Sequence, residues 1–184
     1  MSSFANKRVI TAAALVLLLG TTAYASNVHL KPPNSSPAFT DLGLTLRATG
    51  ALAGLGGEDI VINMSATANA TATCTNPAGR TQPPGQNPAP VTVAGSQIIP
   101  KDEIKNGNVS FSVTTQGPVT PIAGAPGCPN PQWTEDITDL SFTDATITVE
   151  QPAPTVVLTL ECTFTPATTD GTVPAGDVSC TVTS

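Results

Sequence analysis

Four cysteines carry the most definite chemistry in this chain of 184 residues: Cys74, Cys128, Cys162 and Cys180. An even number of cysteines in an exported chain predicts disulfides, and four cysteines allow three connectivities. Two of them share one parity in segments that read as adjacent strands, which suits a Cys162–Cys180 bridge. The other two each stand between a strand and a proline-rich loop, so a Cys74–Cys128 bridge would tie two loops together. Zinc would require closely spaced cysteine pairs or more than one histidine, so no cofactor is expected.

A second group with possible chemistry is acidic: Glu135, Asp136, Asp139 and Asp144. Calcium prefers several carboxylate or carbonyl oxygens, and loops at the ends of a β-sandwich can supply them. The spacing of these four residues matches no known calcium-binding loop. A solvated acidic surface is therefore the favoured interpretation, and calcium binding is left as an open alternative.

Residue types suited to catalysis are few and scattered. The single histidine, His29, lies near the start of the chain. The sequence has neither a Gly-x-Ser-x-Gly motif nor a glycine-rich phosphate loop followed by a helix. Because no nucleophile, base and orienting group are found together, we expect a protein that is not an enzyme.

Two long segments, Thr75–Pro90 and Gln116–Pro131, are rich in proline and glycine. Loops of this length in a compact domain are usually functional or disordered, and the prolines and a disulfide argue against disorder. Their polar side chains suit hydrogen bonding to a partner: Arg80, Gln82, Gln86, Asn87 and Asn130. We predict that a partner docks at this end of the domain. The N-terminal tail is the competing site, since an extended segment can add to a sheet edge.

The elements that position these residues are predicted to be strands. From Ile60 to Cys74 apolar residues alternate with hydroxyl and amide residues, which predicts a strand with one buried and one polar face. Since a strand of this length is unusual, we expect a bulge or bend that lets it serve two sheets. The alternating segment Leu42–Leu52 and the turn Gly54–Asp59 predict a hairpin with it. The threonine ladder Thr67–Thr73 suits the wet side of a half-buried strand better than a site for an ordered surface such as ice.

Later segments repeat the strand pattern. A change of parity between Phe142 and Ala145 predicts a β-bulge near Thr143–Asp144. About eight strands separated by turn signals, with no helical stretch, predict an all-β fold: a single antiparallel β-sandwich of the immunoglobulin-like kind. The later strand segments are Val91–Ile99, Val109–Val113, Trp133–Val149, Val156–Phe164 and Val178–Val182.

The first 25 residues have the pattern of a secretory signal peptide. Lys7 and Arg8 precede an apolar run, and Ala23-Tyr24-Ala25 offers a cleavage site. Residues 26–40 would then form an extended N-terminal tail and residues 41–184 the β-sandwich domain. Cleavage would leave 13 acidic and five basic residues, so neither nucleic acid nor a membrane is expected to bind the mature form. We predict a secreted, extracellular protein.

Five segments resemble a group of small exported bacterial proteins: Thr45–Leu55, Cys74–Pro77, Pro84–Pro88, Ile104–Gly107 and Cys128–Trp133. The resemblance covers most of the mature chain between Leu42 and Phe164; it implies export and a single domain and transfers no catalytic residue. The string Ile99–Val113, with Pro100 before an Asn106-Gly107 turn, resembles the corner before a central strand in bacterial immunoglobulin-like repeats. That second resemblance implies a sandwich rather than an activity.

The leading hypothesis is a non-enzymatic secreted module that binds an extracellular protein or polymer, or has a structural role. A secreted protease inhibitor that presents the loop around Arg80 is the first alternative, because a rigid exposed loop loses little entropy on binding. An extracellular enzyme of unrecognised type is the second.

Overall fold

The fold is all-β. The structure, a computed structural model, describes residues 27–33, 36–82 and 89–183, which contain ten strands, two short 3₁₀ turns and no α-helix. The strands are β1 (His29–Leu30), β2 (Ala38–Asp41), β3 (Leu46–Ala53), β4 (Ile60–Thr75), β5 (Val91–Ile99), β6 (Val109–Thr114), β7 (Thr134–Glu150), β8 (Val156–Phe164), β9 (Gly171–Thr172) and β10 (Val178–Thr183). The 3₁₀ turns are Lys101–Glu103 and Ala175–Asp177.

The strands form two antiparallel sheets of five strands each. In the small sheet, β3 pairs with β1 and β2 on one side and with β6 on the other, and β9 lies outside β2. The large sheet has the order β10-β8-β7-β4-β5. One hydrophobic core takes residues from both sheets, such as Phe39 and Leu46 from the small one and Ile62 and Leu160 from the large one. The predicted all-β antiparallel fold is confirmed, with ten strands rather than about eight.

Strand β4 has the two faces that its alternation predicts. Every second residue is buried: Ile60, Ile62, Met64, Ala66, Ala68, Ala70, Ala72 and Cys74. The expectation that this strand serves two sheets is wrong, because β4 pairs with β5 and β7 and belongs to the large sheet alone. Its neighbour β7 carries the irregularities instead. The register with β4 shifts beside Thr143, as the change of parity predicts, and again beside Thr138.

The predicted hairpin between the strand before Gly54 and β4 is also wrong. Strand β3 lies in the small sheet and β4 in the large sheet, so the connection Gly54–Asp59 crosses from one sheet to the other. The segment Leu42–Leu44 is not part of β3 either, because Gly43 has a φ of +82° and Leu42 is 49% exposed. A positive φ at Gly43 turns the chain from β2 into β3.

The segment interpreted as an N-terminal tail contributes to both the sheet and the core. It contains β1 and most of β2, and Val28, Leu30 and Phe39 are at most 8% exposed. The Asn27 carbonyl oxygen lies so close to Gly54 that a Cβ there would approach it to 2.0 Å. This segment therefore supplies the strands that pair with β3 on the side opposite β6. The predicted signal peptide, residues 1–25, lies outside the described residues.

Candidate functional site

The Cys74–Cys128 disulfide joins the two long loops at one end of the large sheet. Cys74 is the fully buried penultimate residue of β4, and its Cα lies 5.7 Å from that of Cys128 in the segment that precedes β7. This pair and Cys162–Cys180 are the two bridges that suit the sequence, and both are present. We call the region around Cys74–Cys128 the loop end.

The described start of the first loop, residues 75–82, is held in a turn by Asn76. Its Oδ1 accepts the backbone N–H groups of Ala78 at 3.0 Å and Arg80 at 2.9 Å, and its own N–H donates to the Arg80 carbonyl at 3.0 Å. The Gln82 N–H then donates to the Cys74 carbonyl at 2.8 Å. A short side chain that bonds backbone groups two and four residues ahead fixes a turn. The loop therefore presents an exposed Arg80 on a defined backbone.

The structure places three of the five predicted binding residues at this end. Arg80 and Asn130 are exposed and Gln82 is half-buried. The Asn130 Oδ1 accepts the Gln132 N–H at 2.8 Å, so this side chain shapes its own turn as well as facing solvent. The remaining two, Gln86 and Asn87, lie outside the described residues.

Glu135 is a residue of the loop end that sequence reasoning assigned to a solvated acidic surface; that assignment is wrong for this residue. Its side chain is fully buried, and its Oε2 accepts the Gly127 N–H at 2.9 Å. Its Oε1 has no hydrogen-bonding partner among the described residues. The Glu135 carbonyl accepts the Ile122 N–H at 2.7 Å. Glu135 thus binds the second loop through both its side chain and its backbone carbonyl. In the sequence, its burial is indicated by its position two residues before Ile137, which is also buried.

Glycine at position 127 is what lets this loop approach Glu135. A Cβ at Gly127 would lie 2.2 Å from the Glu135 Oε1 atom. With any larger residue at this position, either the loop or the Glu135 side chain would have to shift. The second loop therefore has a covalent attachment at Cys128 and a non-covalent one at the residue before it.

The four acidic residues considered for calcium do not converge. Glu135 points into the protein, whereas Asp144 is exposed on β7. The Asp136 Oδ1 accepts a long hydrogen bond of 3.4 Å from Thr120 Oγ1, and Asp139 Oδ1 lies near Gly43. Over residues 27–33, 36–82 and 89–183, no three histidine, cysteine or acidic side chains are arranged to hold a metal ion.

Asp41, at the end of β2, is a second buried acid. It is 2% exposed, and its carboxyl oxygens accept the Gly43 N–H at 2.9 Å and the Thr168 hydroxyl at 2.5 Å. The Thr168 Oγ1 accepts the Phe142 N–H at 2.8 Å, so the group connects both sheets. Burial raises the pKa of Asp41 above its usual value; the nearby carboxylates Asp170 and Asp139 raise it further, and the two hydrogen bonds oppose this.

The outer face of the large sheet offers a polar surface. Its register aligns residues of five strands into rows, one of which is Ser96, Asn63, Thr148, Thr159 and Thr183. A shallow groove of about 400 Å³ runs beside this row, lined in part by Ser65 and Thr146. Carboxylates at Glu161 and Asp144 interrupt the neighbouring rows. The surface has the hydroxyl-rich composition of the wet face of a sheet.

Comparison with known proteins gives no relative for this chain. No protein-family model, no curated protein and no solved structure matches it. The resemblance to small exported bacterial proteins therefore stays a prediction. None of the helical segments in the described part of the chain is long and apolar enough to cross a membrane.

Proposed function

We propose that this chain is an exported, non-enzymatic binding module, built on an immunoglobulin-like β-sandwich, whose loop end contacts an extracellular protein or polymer. The two disulfides support an extracellular or other oxidising location for the protein. The acidic composition disfavours nucleic acid as the partner.

The observation that carries the proposal is the double attachment of the loop end. The Cys74–Cys128 bridge, the Gly127–Glu135 hydrogen bond and the bonds of Asn76 fix backbone that is otherwise irregular. A surface loop that is ordered before binding loses less entropy when a partner docks. Irregular segments held by a rigid scaffold are where binding residues concentrate.

The proposal is tested with surface variants that leave the scaffold intact. Mature protein is immobilised and incubated with culture supernatant and with cell-surface polymer from the producing cells, and the retained material is quantified. Arg80→Ala and Gln82→Ala should each lower retention of a specific partner several-fold. Arg47→Ala is the matched control, because Arg47 is an exposed arginine on the small sheet. Thr146→Ala reports on the polar groove.

Retention that is lost in Thr146→Ala but unchanged in both loop variants would move the site to the outer face of the large sheet. Deletion of residues 26–37 is not a usable control for a tail site. It would remove β1 together with the buried side chains of Val28 and Leu30, so the domain itself would be destabilised.

Protease inhibition through Arg80 is the weaker alternative. Both the N–H and the carbonyl of Arg80 are bonded to Asn76 within the loop. A peptide that enters a protease cleft as an added strand needs those backbone groups free. A panel of trypsin-like proteases tests the alternative directly, and inhibition by the wild type that Arg80→Ala abolishes would establish it.

An extracellular enzyme is the remaining alternative. The histidine that a hydrolase would need, His29, lies in β1 with its ring bonded to the Asn27 carbonyl at 2.8 Å. Activity screening of the mature protein with added divalent metals tests this alternative, and a turnover that is lost on denaturation would support it.

A further inference from the structure

Strand β10 forms one edge of the large sheet, and the direction of its backbone groups follows from its register. Cys180 lies opposite Cys162 with a Cα–Cα distance of 4.0 Å, the short spacing of an antiparallel pair that exchanges no backbone hydrogen bonds. The residues on either side therefore bond to β8. In agreement, the Asp177 carbonyl accepts the Thr165 N–H at 2.9 Å. The residues whose N–H and C=O groups point away from the sheet are Val178, Cys180 and Val182.

This outer side of β10 is an unprotected edge. Within the described part of the chain, no backbone group bonds to it. It offers six residues without charge or proline, whereas β1 and β9 have two residues each. The far side of β5 is bonded at Ala94, whose carbonyl accepts the Gln116 N–H at 2.8 Å. The six-residue edge of β6 is bonded at Ser112, whose N–H donates to the Gln97 side chain at 2.9 Å. A long uncharged edge is a template for pairing with another strand.

The side chain of Val182 adds exposed apolar surface beside this edge. Val182 lies opposite Leu160, whose side chain is fully buried, so both side chains point to the core side of the sheet. Val182 is nevertheless 47% exposed, because the sheet ends at β10. A neighbouring strand would cover its apolar surface and favour association.

We propose that β10 is a self-association edge on which the β10 strand of a second copy pairs antiparallel, with a two-fold axis at Cys180. In this register Cys180 lies opposite its own copy, and Val178 lies opposite Val182 of the second copy. These are the residues whose backbone groups point outward, so each opposed pair exchanges two hydrogen bonds. A two-fold interface uses the same patch on both molecules, and this edge is self-complementary in that sense. The result is one continuous sheet across two molecules.

The side chains fit the same register. On the core side, Val178 of one copy covers the exposed Val182 of the other. On the outer face, Ser179 lies opposite Thr181, so hydroxyls meet hydroxyls. Asp177, the acidic residue just before the strand, meets Thr183 rather than another acid. Like charges are therefore not opposed at the edge. Because both copies are acidic overall, association should strengthen as salt is added.

Amide hydrogen exchange of the mature protein tests the proposal without any variant. Exchange at Cys180 and Val182 should slow as protein concentration rises, because their N–H groups become bonded only in the pair. Exchange at Ser179 and Thr181 should be slow at every concentration, because those groups bond to β8 within one molecule. Sedimentation equilibrium should show a monomer–dimer equilibrium over the same range. Concentration-independent exchange at Val182 and a monomer up to about 1 mM would overturn the proposal, since even small specific interfaces associate by then.

Two substitutions at one position separate backbone pairing from side-chain burial. Val182→Pro removes an N–H that points outward and no bond to β8, so the monomer should keep its fold. It should weaken dimerisation about tenfold or more, because two symmetry-related hydrogen bonds are lost. Val182→Ala keeps the N–H and should weaken it less. Wild-type dimerisation in a folded Val182→Pro variant would show that another surface is used. If that variant does not fold, the exchange experiment decides alone.

Discussion

Two buried side chains at opposite ends of β7 hold their ends of the sheet in different ways. Gln151, directly after β7, is 2% exposed and satisfies all its polar groups: Oε1 accepts the Gly56 N–H at 2.7 Å, and Nε2 donates to the Gly56 and Glu58 carbonyls at 3.2 and 2.6 Å. Glu135, the second residue of β7, accepts the Gly127 N–H through one oxygen, while the other has no partner within the described chain.

The difference follows from what each group can do. An amide both donates and accepts, so one side chain can complete a turn that offers an N–H and two carbonyls. A carboxylate without its proton only accepts, and the loop end offers it one donor. The Gln151 end is therefore fully bonded, whereas the loop end relies on a disulfide and leaves an acceptor unused. Among the described residues, the loop end is therefore the less completely hydrogen-bonded of the two, which agrees with the binding role proposed for it.

Removal of the Cys74–Cys128 disulfide is the largest change expected. The bridge spans 54 residues, and the chain-entropy estimate for a loop of that size is about 4 kcal/mol of stability. We therefore expect Cys74→Ala/Cys128→Ala to lower the free energy of unfolding in urea by about 4 kcal/mol. Cys162→Ala/Cys180→Ala is the control: its bridge spans 18 residues, for which about 3 kcal/mol is expected. A smaller loss at the loop end than at β10 would contradict this ranking.

The comparison is tested most sharply by giving Gln151 the carboxyl group of Glu135, and Glu135 the amide of Gln151. Gln151→Glu removes both donors from the Gly56 and Glu58 carbonyls and turns acceptor oxygens toward them. We expect a loss of about 3 kcal/mol in the free energy of unfolding. Gln151→Met, which has a similar length and no donor, separates the lost hydrogen bonds from repulsion. If Gln151→Glu is as stable as the wild type, the amide is not what holds this end.

The reciprocal substitution at the loop end should have a small effect. Glu135→Gln keeps an oxygen for the Gly127 N–H and places an amide NH₂ where the oxygen without a partner among the described residues lies. One unpartnered polar group replaces another, so we expect a change within about 1 kcal/mol. Glu135→Ala removes the acceptor and leaves a cavity, so it should cost more, about 2 kcal/mol. Thermal and urea unfolding of both variants measures the difference. Equal losses for the two would show that the Gly127 hydrogen bond contributes nothing.

Asp41 adds a buried acid with both oxygens bonded, and its effect should appear in the pH dependence. Its folded pKa is raised, so its contribution to stability is present below the unfolded pKa and is lost as pH rises through the folded value. Asp41→Asn should remove that dependence. Relative to the wild type, the variant should gain stability from acidic toward neutral pH. Parallel stability curves for the two proteins would contradict the raised pKa.

The sequence predicted what depends on local periodicity. The two faces of β4, the bulge beside Thr143 and the two disulfides follow from parity and spacing. It did not predict what depends on which strands meet. A turn such as Gly54–Asp59 suits a hairpin and a crossing between sheets equally well, so the sheet assignment of β3 was missed.

The roles of Gln151 and Glu135 were missed for a related reason. Gln151 bonds Gly56, a residue 95 positions earlier, and no local pattern indicates such a contact. Glu135 was misjudged because its type suggests solvent, although its parity with Ile137 places it inside. Before β2 prolines outnumber apolar residues, which predicts a tail, yet the side chains of Val28 and Leu30 are enough to place this segment in the core.

The positions of the two disulfides also determine how the protein would respond to mechanical load. If tension acts on the chain before β1 and after β10, β1 is the first element to detach, because two residues pair it to β3. Extension from that side can proceed to Cys74, beyond which the bridge to Cys128 shields the enclosed chain. From the other side extension proceeds to Cys180, where the bridge to Cys162 shields the chain between them. The strands shielded from the load are therefore β5 and β6 within the first bridge and β9 within the second, whereas β4 can be extended together with the N-terminal strands.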